Sequence, residues 1–165
     1  GLQIVRFWAD EVQPKREPER TQVRHIVEFG GQLPYSLMTH RDLDAAPNQV
    51  LDMKVSGMKR SGPEVLENDM QLIAYSIAYF DQFGVWPEVG LDVLLRYKKG
   101  PELQALRTTI KPEMIQRYLK TFAAVANAIS KGIFLPASNI AMTYHTPVCS
   151  RKECGYYDIC HSEFL

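Results

Sequence analysis

The sequence contains no apolar run of the roughly 18 residues that a membrane-spanning helix needs. Its start, GLQIVRFWADEV, carries charges where a secretory signal peptide would have an apolar stretch. No charge of one sign dominates, because 19 basic residues balance 19 acidic ones. These absences argue against a membrane protein, a secreted protein and a surface that attracts polyanions as a whole. We therefore expect a cytoplasmic protein, on which any nucleic-acid site is a local patch.

Several motifs of common enzyme classes are also absent. There is no P-loop, no G-x-S-x-G and no glycine-rich dinucleotide fingerprint, which argues against a built-in ATPase, an α/β hydrolase and a Rossmann oxidoreductase. What is present is a chain of 165 residues, 45% hydrophobic and 23% charged, the composition of one ordinary domain with a core. We predict a single domain over residues 1–165, in which 1–21 form a helical stub and a connector and 146–165 form a cysteine-containing C-terminal segment. Because the helical pattern begins at the first residue, we also expect a missing segment upstream.

The apolar pattern changes period along the chain and predicts the order of the elements. Leu2–Val12 is predicted as a helix and Gln13–Gln22, with its two prolines, as a loop. Strands are predicted at 22–31, 35–44, 48–57, 88–99 and 102–110, and helices at 63–83 and 111–132. The order of strands, helix, strands and helix predicts an α/β fold, with a central mixed β-sheet flanked by α-helices.

The third strand, NQVLDMKVSG, holds an acid and a base at alternate positions. Asp52 and Lys54 are two residues apart, so their side chains leave the same face of the strand. An antiparallel pairing with the preceding strand would bring Asp42 beside Asp52, and two converging carboxylates repel each other unless a divalent cation such as Mg²⁺ or Mn²⁺ lies between them. Lys54 could then hold an anionic substrate group or orient a water molecule. The alternative interpretation is a solvated strand face that binds no metal.

The segments MTHRDLD, VLDMKVSG and DMQLIAY together resemble the PD-(D/E)xK nuclease superfamily, in the RecB-like exonuclease branch that includes phage and CRISPR-associated nucleases. The resemblance implies a restriction-endonuclease-like core, with Asp42 and Asp52 as metal ligands. It assigns Lys54 to the D-x-K motif, and Gln71 and Tyr75 to the motif of the following helix. Two departures accompany it: Thr39 replaces the usual glycine before the first acid, and Asp44 is a rival for the role of Asp42 on what we expect to be the same strand face.

The function that this resemblance implies is a Mg²⁺- or Mn²⁺-dependent deoxyribonuclease of exonuclease type. Its expected partners are DNA and a helicase or recombinase, and the oligomeric state is not predicted. Gln71 and Tyr75 lie one helical turn apart and would face the DNA, although Tyr75 as a core aromatic and Gln71 as a solvent-exposed residue are the alternative interpretation. The alternative function is a non-catalytic nucleic-acid-binding or interaction module with a structural metal site at the C-terminal cysteines.

All three cysteines, Cys149, Cys154 and Cys160, lie close together near the C-terminus. In a reducing compartment such a cluster is more often a set of metal ligands than of disulfides. The resemblance implies a [4Fe–4S] cluster whose fourth ligand is an upstream cysteine, which this chain lacks. Three alternatives stay open: a ligand in a missing upstream segment, a zinc or iron site completed by His161 or His145, or thiols packed as small hydrophobic groups.

Other polar residues are weaker candidates. His25 and His40 lie in or beside strands, where a lone histidine is more often an ordinary sheet residue than a ligand, although His40 is close enough to Asp42 to face the edge of the site. Glu28 could be a further metal ligand, and an exposed strand glutamate is the alternative interpretation. A basic rim for DNA is predicted at Lys59, Arg60, Arg96, Lys98 and Lys99.

Overall fold

The computed structural model describes residues 2–31, 33, 35–133, 142–143, 146–147, 150–152, 154–155 and 158. The chain divides into two compact units, Gly1–Ala123 and Ala124–Leu165. The first unit contains the whole sheet, and the second contains the end of the last long helix and a short pair of strands, β6 (Met142–Thr143) and β7 (Thr146–Pro147). The single domain over residues 1–165 stays a prediction.

The N-terminal stub is helical, as predicted. Helix α1 (Leu2–Phe7) continues as a π-helical turn, Trp8–Val12, and a 3₁₀ turn, Gln13–Lys15. The predicted connector is too long, because β1 (Pro18–Val27) begins inside it. Proline is tolerated as the first residue of a strand, where its missing N–H interrupts no ladder, and charged side chains suit an edge strand.

The sheet is mixed, which confirms the predicted α/β fold. Its remaining strands are β2 (Leu37–Ala45), β3 (Gln49–Ser56), β4 (Glu88–Tyr97) and β5 (Gly100–Thr108), in the spatial order β1-β2-β3-β4-β5. Strands β3 and β4 are parallel, and the other neighbouring pairs are antiparallel. A parallel pair needs a crossover, and the segment between β3 and β4 supplies it as a helix.

The crossover helix is shorter than the predicted helix 63–83. Residues Pro63–Asn68 form a 3₁₀ turn, and helix α2 spans Met70–Phe83. The break lies at Asp69, whose extended backbone ends the turn and whose carboxylate accepts hydrogen bonds from the N–H groups of Gln71 and Leu72. Asp69 is therefore the N-cap of α2, and Gly84, with φ of 71°, closes the other end.

The core lies between the sheet and α2. Alternate residues of β3 and β4 face it, since Val50, Val89, Leu91 and Val93 pack in one cluster with the buried residues of α2. Helix α3 (Pro112–Ser130) adds Ile115 and Tyr118 to this cluster. The intervening strand residues point to the opposite face, where Leu43, Ala45 and Leu51 form a smaller cluster. Among the described residues, no helix is both long enough and apolar enough to cross a membrane.

Strand β2 changes face once along its length. Arg41 contacts α2 by donating to Gln82, and Asp44, three residues further on, accepts two hydrogen bonds from the same Arg41. Regular alternation would place Arg41 and Asp44 on opposite faces of the sheet. The alternation therefore shifts by one residue between them.

Strand β1 is distorted at Gln22, opposite the shift in β2. We call Gln22 and Asp42 together the paired kink. Gln22 has φ of 51°, in the left-handed region that few non-glycine residues adopt. Thr21 pairs with Leu43, and Val23 pairs with Arg41. Gln22 and Asp42, which lie between these pairs and which the structure describes, do not pair with each other. Because both strands shift together, the register on either side of the paired kink is preserved.

Candidate metal centre

Strands β2 and β3 bring Asp42 and Asp52 to the same place in the sheet. The antiparallel ladder runs through Asp44–Val50 and Leu43–Leu51, and one further step would pair Asp42 with Asp52. The strands separate there, and the N–H of Met53 donates to Asp42 Oδ2 at 3.4 Å instead. Asp42 therefore lies at the paired kink, with its carboxylate turned towards β3.

Asp52 is a buried carboxylate that forms an ion pair with Lys54. Its side chain is 0% exposed, and within the described part of the chain neither of its oxygens has a hydrogen-bond partner. Lys54 Nζ lies 2.7 Å from Asp52 Oδ2 and forms an ion pair with it. A carboxylate in this position has free acceptor capacity for a cation.

Lys54, Gln71 and Tyr75 form a chain of polar contacts from the strand to the helix. Lys54 Nζ donates to Gln71 Oε1 at 3.4 Å, and Gln71 Nε2 donates to the Tyr75 hydroxyl at 2.7 Å. Gln71 and Tyr75 are one turn apart in α2, so both can lean over the end of β3. The structure thus brings together all five residues of the predicted catalytic set, which also includes Asp42 and Asp52.

Burial and neighbouring charges shift the pKa values of the residues in the cluster. Burial raises the pKa of Asp52 above its ordinary value, Lys54 opposes this rise and the nearby Asp42 adds to it. Burial alone would lower the pKa of Lys54, but Asp52 and Asp42 together raise it above its ordinary value. Burial also raises the pKa of Tyr75, which keeps its proton. At neutral pH Lys54 is therefore a cation and Tyr75 a neutral hydroxyl.

The donor set fits a hard divalent cation. No group of three or more His, Cys, Asp and Glu side chains in the described ranges is arranged to hold a metal ion. Asp42 and Asp52 alone nevertheless suffice for Mg²⁺, which proteins commonly hold by one or two carboxylates while water and substrate phosphates complete the octahedron. The buried oxygens of Asp52, which have an ion pair with Lys54 but accept no hydrogen bond from the residues that the structure describes, are the observation that supports this fit.

Asp44, the rival for the role of Asp42, is occupied elsewhere. It is fully buried and accepts from Arg41 Nε at 2.9 Å and Nη2 at 3.0 Å, and from Arg20 Nε at 3.3 Å. The expectation that Asp42 and Asp44 share a strand face is wrong, because the paired kink shifts the alternation before Asp44. Arg41 is itself fully buried, so Asp44 compensates a core charge.

Asp92 is a buried acid that sequence reasoning missed. It pairs with Met53 in the β3–β4 ladder, so it lies on the face opposite Asp52. Arg16 Nε and Arg107 Nη2 each donate to it at 2.6 Å, which leaves it well compensated. A signal for it existed in the sequence, since a single charge inside the apolar run of β4 requires a partner.

The weaker candidates lie outside the cluster. His25 Nε2 contacts Asp81 on α2 at 2.7 Å, and Glu28 and His40 are exposed. In the predicted basic rim, Lys59 lies 3.7 Å from Glu102, while Arg60, Arg96, Lys98 and Lys99 are exposed. Of the cysteines, Cys154 is a half-buried free thiol. Cys149, Cys160, His145 and His161 lie outside the described residues.

Comparison with known proteins gives a likeness in fold. The sequence matches no family model and no curated protein. The fold is similar to the crystal structure of a protein named "Putative exonuclease" from Eubacterium rectale, with a TM-score of 0.59 and 15% identity. The match covers 99% of this chain and 59% of the other, so this chain spans about three fifths of that protein's length. A solved structure named SSO0001 has a TM-score of 0.43 and 16% identity, over 66% of this chain and 51% of its own.

Proposed function

We propose that this protein is a metal-dependent DNA nuclease of the PD-(D/E)xK type, in the RecB-like branch. The observation that carries the proposal is the fully buried Asp52 carboxylate, which lacks a hydrogen-bond partner in the described chain and lies beside Asp42, Lys54, Gln71 and Tyr75. Buried carboxylates in proteins are as a rule paired, hydrogen-bonded or bound to a metal ion. The similarity in fold to a protein named as an exonuclease supports the proposal at the level of the fold.

In this proposal Asp42 and Asp52 hold Mg²⁺ or Mn²⁺. The cation supplies Lewis-acid stabilisation of the charge on a phosphoryl oxygen. Lys54 contributes a second positive charge and an N–H donor to the phosphate, because its raised pKa excludes it as a general base at neutral pH. Gln71 holds the ammonium of Lys54 through its side-chain oxygen, and Tyr75 fixes the amide of Gln71.

A cleavage assay tests the proposal. A labelled linear DNA and a covalently closed circular DNA are each incubated with the protein in Mg²⁺, Mn²⁺, Ca²⁺ or EDTA. We expect Mg²⁺- or Mn²⁺-dependent release of nucleotides from the linear DNA, and no release in EDTA. An exonuclease leaves the circle intact, whereas an endonuclease cuts both.

Matched variants separate the site from a contaminating nuclease. Asp52→Asn and Lys54→Ala should abolish cleavage, while Lys120→Ala, which removes an exposed lysine of α3, should leave it unchanged. A protein that binds the linear DNA but never cuts it, with any cation, would instead be the non-catalytic binding module. Retention of the full rate by Asp52→Asn would refute the assignment of the site.

Three further predictions accompany this function. Cys149, Cys154 and Cys160 are proposed to hold a [4Fe–4S] cluster or zinc, which iron, sulfide and zinc analysis after anaerobic purification would check. A helicase or recombinase is the proposed partner, and the cytoplasm the proposed compartment.

A further inference from the structure

A cavity of about 340 Å³ opens beside Asp42 on the side of the sheet where Arg16 binds Asp92. Its lining includes Trp8, Gln13, Arg16, Gln22, Asp42 and Met53. The volume lies in the range of small-molecule sites, which combine apolar and aromatic walls with a few polar groups. Asp42 is the residue that this cavity shares with the candidate metal centre.

The cavity is held open by the fold. Arg16 donates from Nε and Nη2 to the two oxygens of Asp92, at 2.6 and 3.3 Å, and so fixes the N-terminal helical segment against the sheet. The paired kink lies at its wall, because both Gln22 and Asp42 line it. A strained backbone such as that of Gln22 persists where the surroundings enforce it, and such residues are frequent at functional sites.

We propose that this cavity binds the nucleobase of the DNA nucleotide whose phosphate is held at Asp42 and Asp52. The inference rests on the proposed nuclease function and names the substrate group that the function leaves open. The half-buried indole of Trp8 offers a stacking surface for a base. The exposed amides of Gln13 and Gln22 can each donate and accept hydrogen bonds at a base edge. Stacking does not distinguish among bases, so the site accepts all of them.

Binding in the absence of metal tests the inference separately from cleavage. A short single-stranded DNA carries 2-aminopurine at successive positions, and a matched set carries an abasic residue there. In EDTA the carboxylates of Asp42 and Asp52 repel the DNA phosphates equally in both sets. The difference in affinity between the two sets therefore measures the contribution of the base. We expect one position at which 2-aminopurine emission falls on binding and at which the abasic DNA binds about tenfold more weakly.

Variants of the two tryptophans, Trp8 and Trp86, assign the effect to the cavity. Trp8→Ala should weaken binding of the intact DNA about tenfold and leave binding of the abasic DNA unchanged. Trp8→Phe should retain most of the affinity, because it keeps a ring. Trp86→Ala is the matched control, since Trp86 stacks on Phe80 outside the cavity.

A chain that carries Trp86→Phe gives a second readout that does not require Trp8→Ala to fold. Trp8 is then the only tryptophan, and its emission should change with intact DNA and remain constant with abasic DNA. The reverse chain, Trp8→Phe, should show no change at Trp86.

Equal binding of intact and abasic DNA, constant Trp8 emission or no binding in EDTA would each overturn the inference, because stacking needs no metal. Metal-dependent cleavage without base-dependent binding would refute base binding in the cavity and leave the nuclease function standing. Base-dependent binding through Trp8, with no cleavage in any cation, would refute the proposed nuclease function and leave base binding in the cavity standing.

Discussion

Lys54 and Asp52 form an ion pair across the boundary between solvent and core, with 2.7 Å between Nζ and Oδ2. The lysine side chain is 40% exposed, whereas the aspartate side chain is completely buried. The buried charge is thus compensated by one flexible side chain that can move into water. Such a pair tolerates the arrival of a second cation at the carboxylate, because the lysine can turn into solvent.

Asp52→Asn is expected to stabilise the metal-free protein while it abolishes cleavage. The substitution removes a buried charge and its repulsion from Asp42, and Lys54 can extend into solvent. We expect a gain of about 0.5–2 kcal/mol in the free energy of unfolding, the scale of other functional-site substitutions that trade activity for stability. Urea denaturation of both proteins in EDTA measures it. A loss of several kcal/mol would indicate that Asp52 is structural.

Asp42→Asn should mainly weaken metal binding, whereas Asp44→Asn should mainly lower the stability of the fold. Asp42→Asn is expected to weaken Mn²⁺ binding by more than about tenfold, with little change in stability. Asp44→Asn leaves the fully buried Arg41 without its charged partner and should cost about 3–5 kcal/mol. Titration calorimetry and urea denaturation of each variant give the two quantities. Equal losses of Mn²⁺ affinity would make both residues ligands.

The raised pKa of Asp52 predicts the pH dependence of the metal-free protein. The folded chain keeps a proton on Asp52 at pH values where the unfolded chain has lost it, that is, above 3.8. The contribution of Asp52 to the free energy of unfolding therefore decreases as the pH rises from 3.8 through the pKa of the folded state. A cation must displace the same proton, so the affinity for Mn²⁺ should rise over that window.

Calorimetric Mn²⁺ titrations and urea denaturation at a series of pH values check this dependence, with Asp52→Asn as the reference. Parallel pH profiles of stability in wild type and variant would contradict the prediction.

Tyr75→Phe should slow cleavage about tenfold, because loss of the hydroxyl frees the Gln71 amide and thereby displaces Lys54. Tyr79→Phe is the matched control: Tyr79 lies one turn further along α2, and its hydroxyl contacts Asn48 instead. Single-turnover rates at saturating Mg²⁺ measure both effects. Equal rates for Tyr75→Phe and the wild type would exclude the proposed chain of contacts.

Local patterns were sufficient to predict the sheet, its helices and the convergence of Asp42 with Asp52. The third strand and α2 have clear periodicity, and a short turn between β2 and β3 leaves antiparallel pairing as the natural outcome. The break before α2 could also have been predicted, since Asp69 is a strong N-cap residue three positions before Leu72.

Features that depend on distant parts of the chain could not be predicted. Arg16 and Asp92 are 76 residues apart, so no local pattern indicates their contact. Gln22 is not a residue type that signals a positive φ, and the paired kink is enforced by the pairing of two strands rather than by either sequence. The separation of Asp42 from the face of Asp44 follows from that kink and was missed for the same reason.

The paired kink also constrains how the lengths of β1 and β2 can change. Loss of one residue from either strand alone would turn every following side chain of that strand to the other face. On β1 such a slip would take His25 away from Asp81, and on β2 it would take Arg41 out of the core. A deletion or insertion at the paired kink in one strand would therefore have to be absorbed by a β-bulge, such as the irregularity of β1 between Pro18 and Arg20, or be matched by a change of equal length in the other strand.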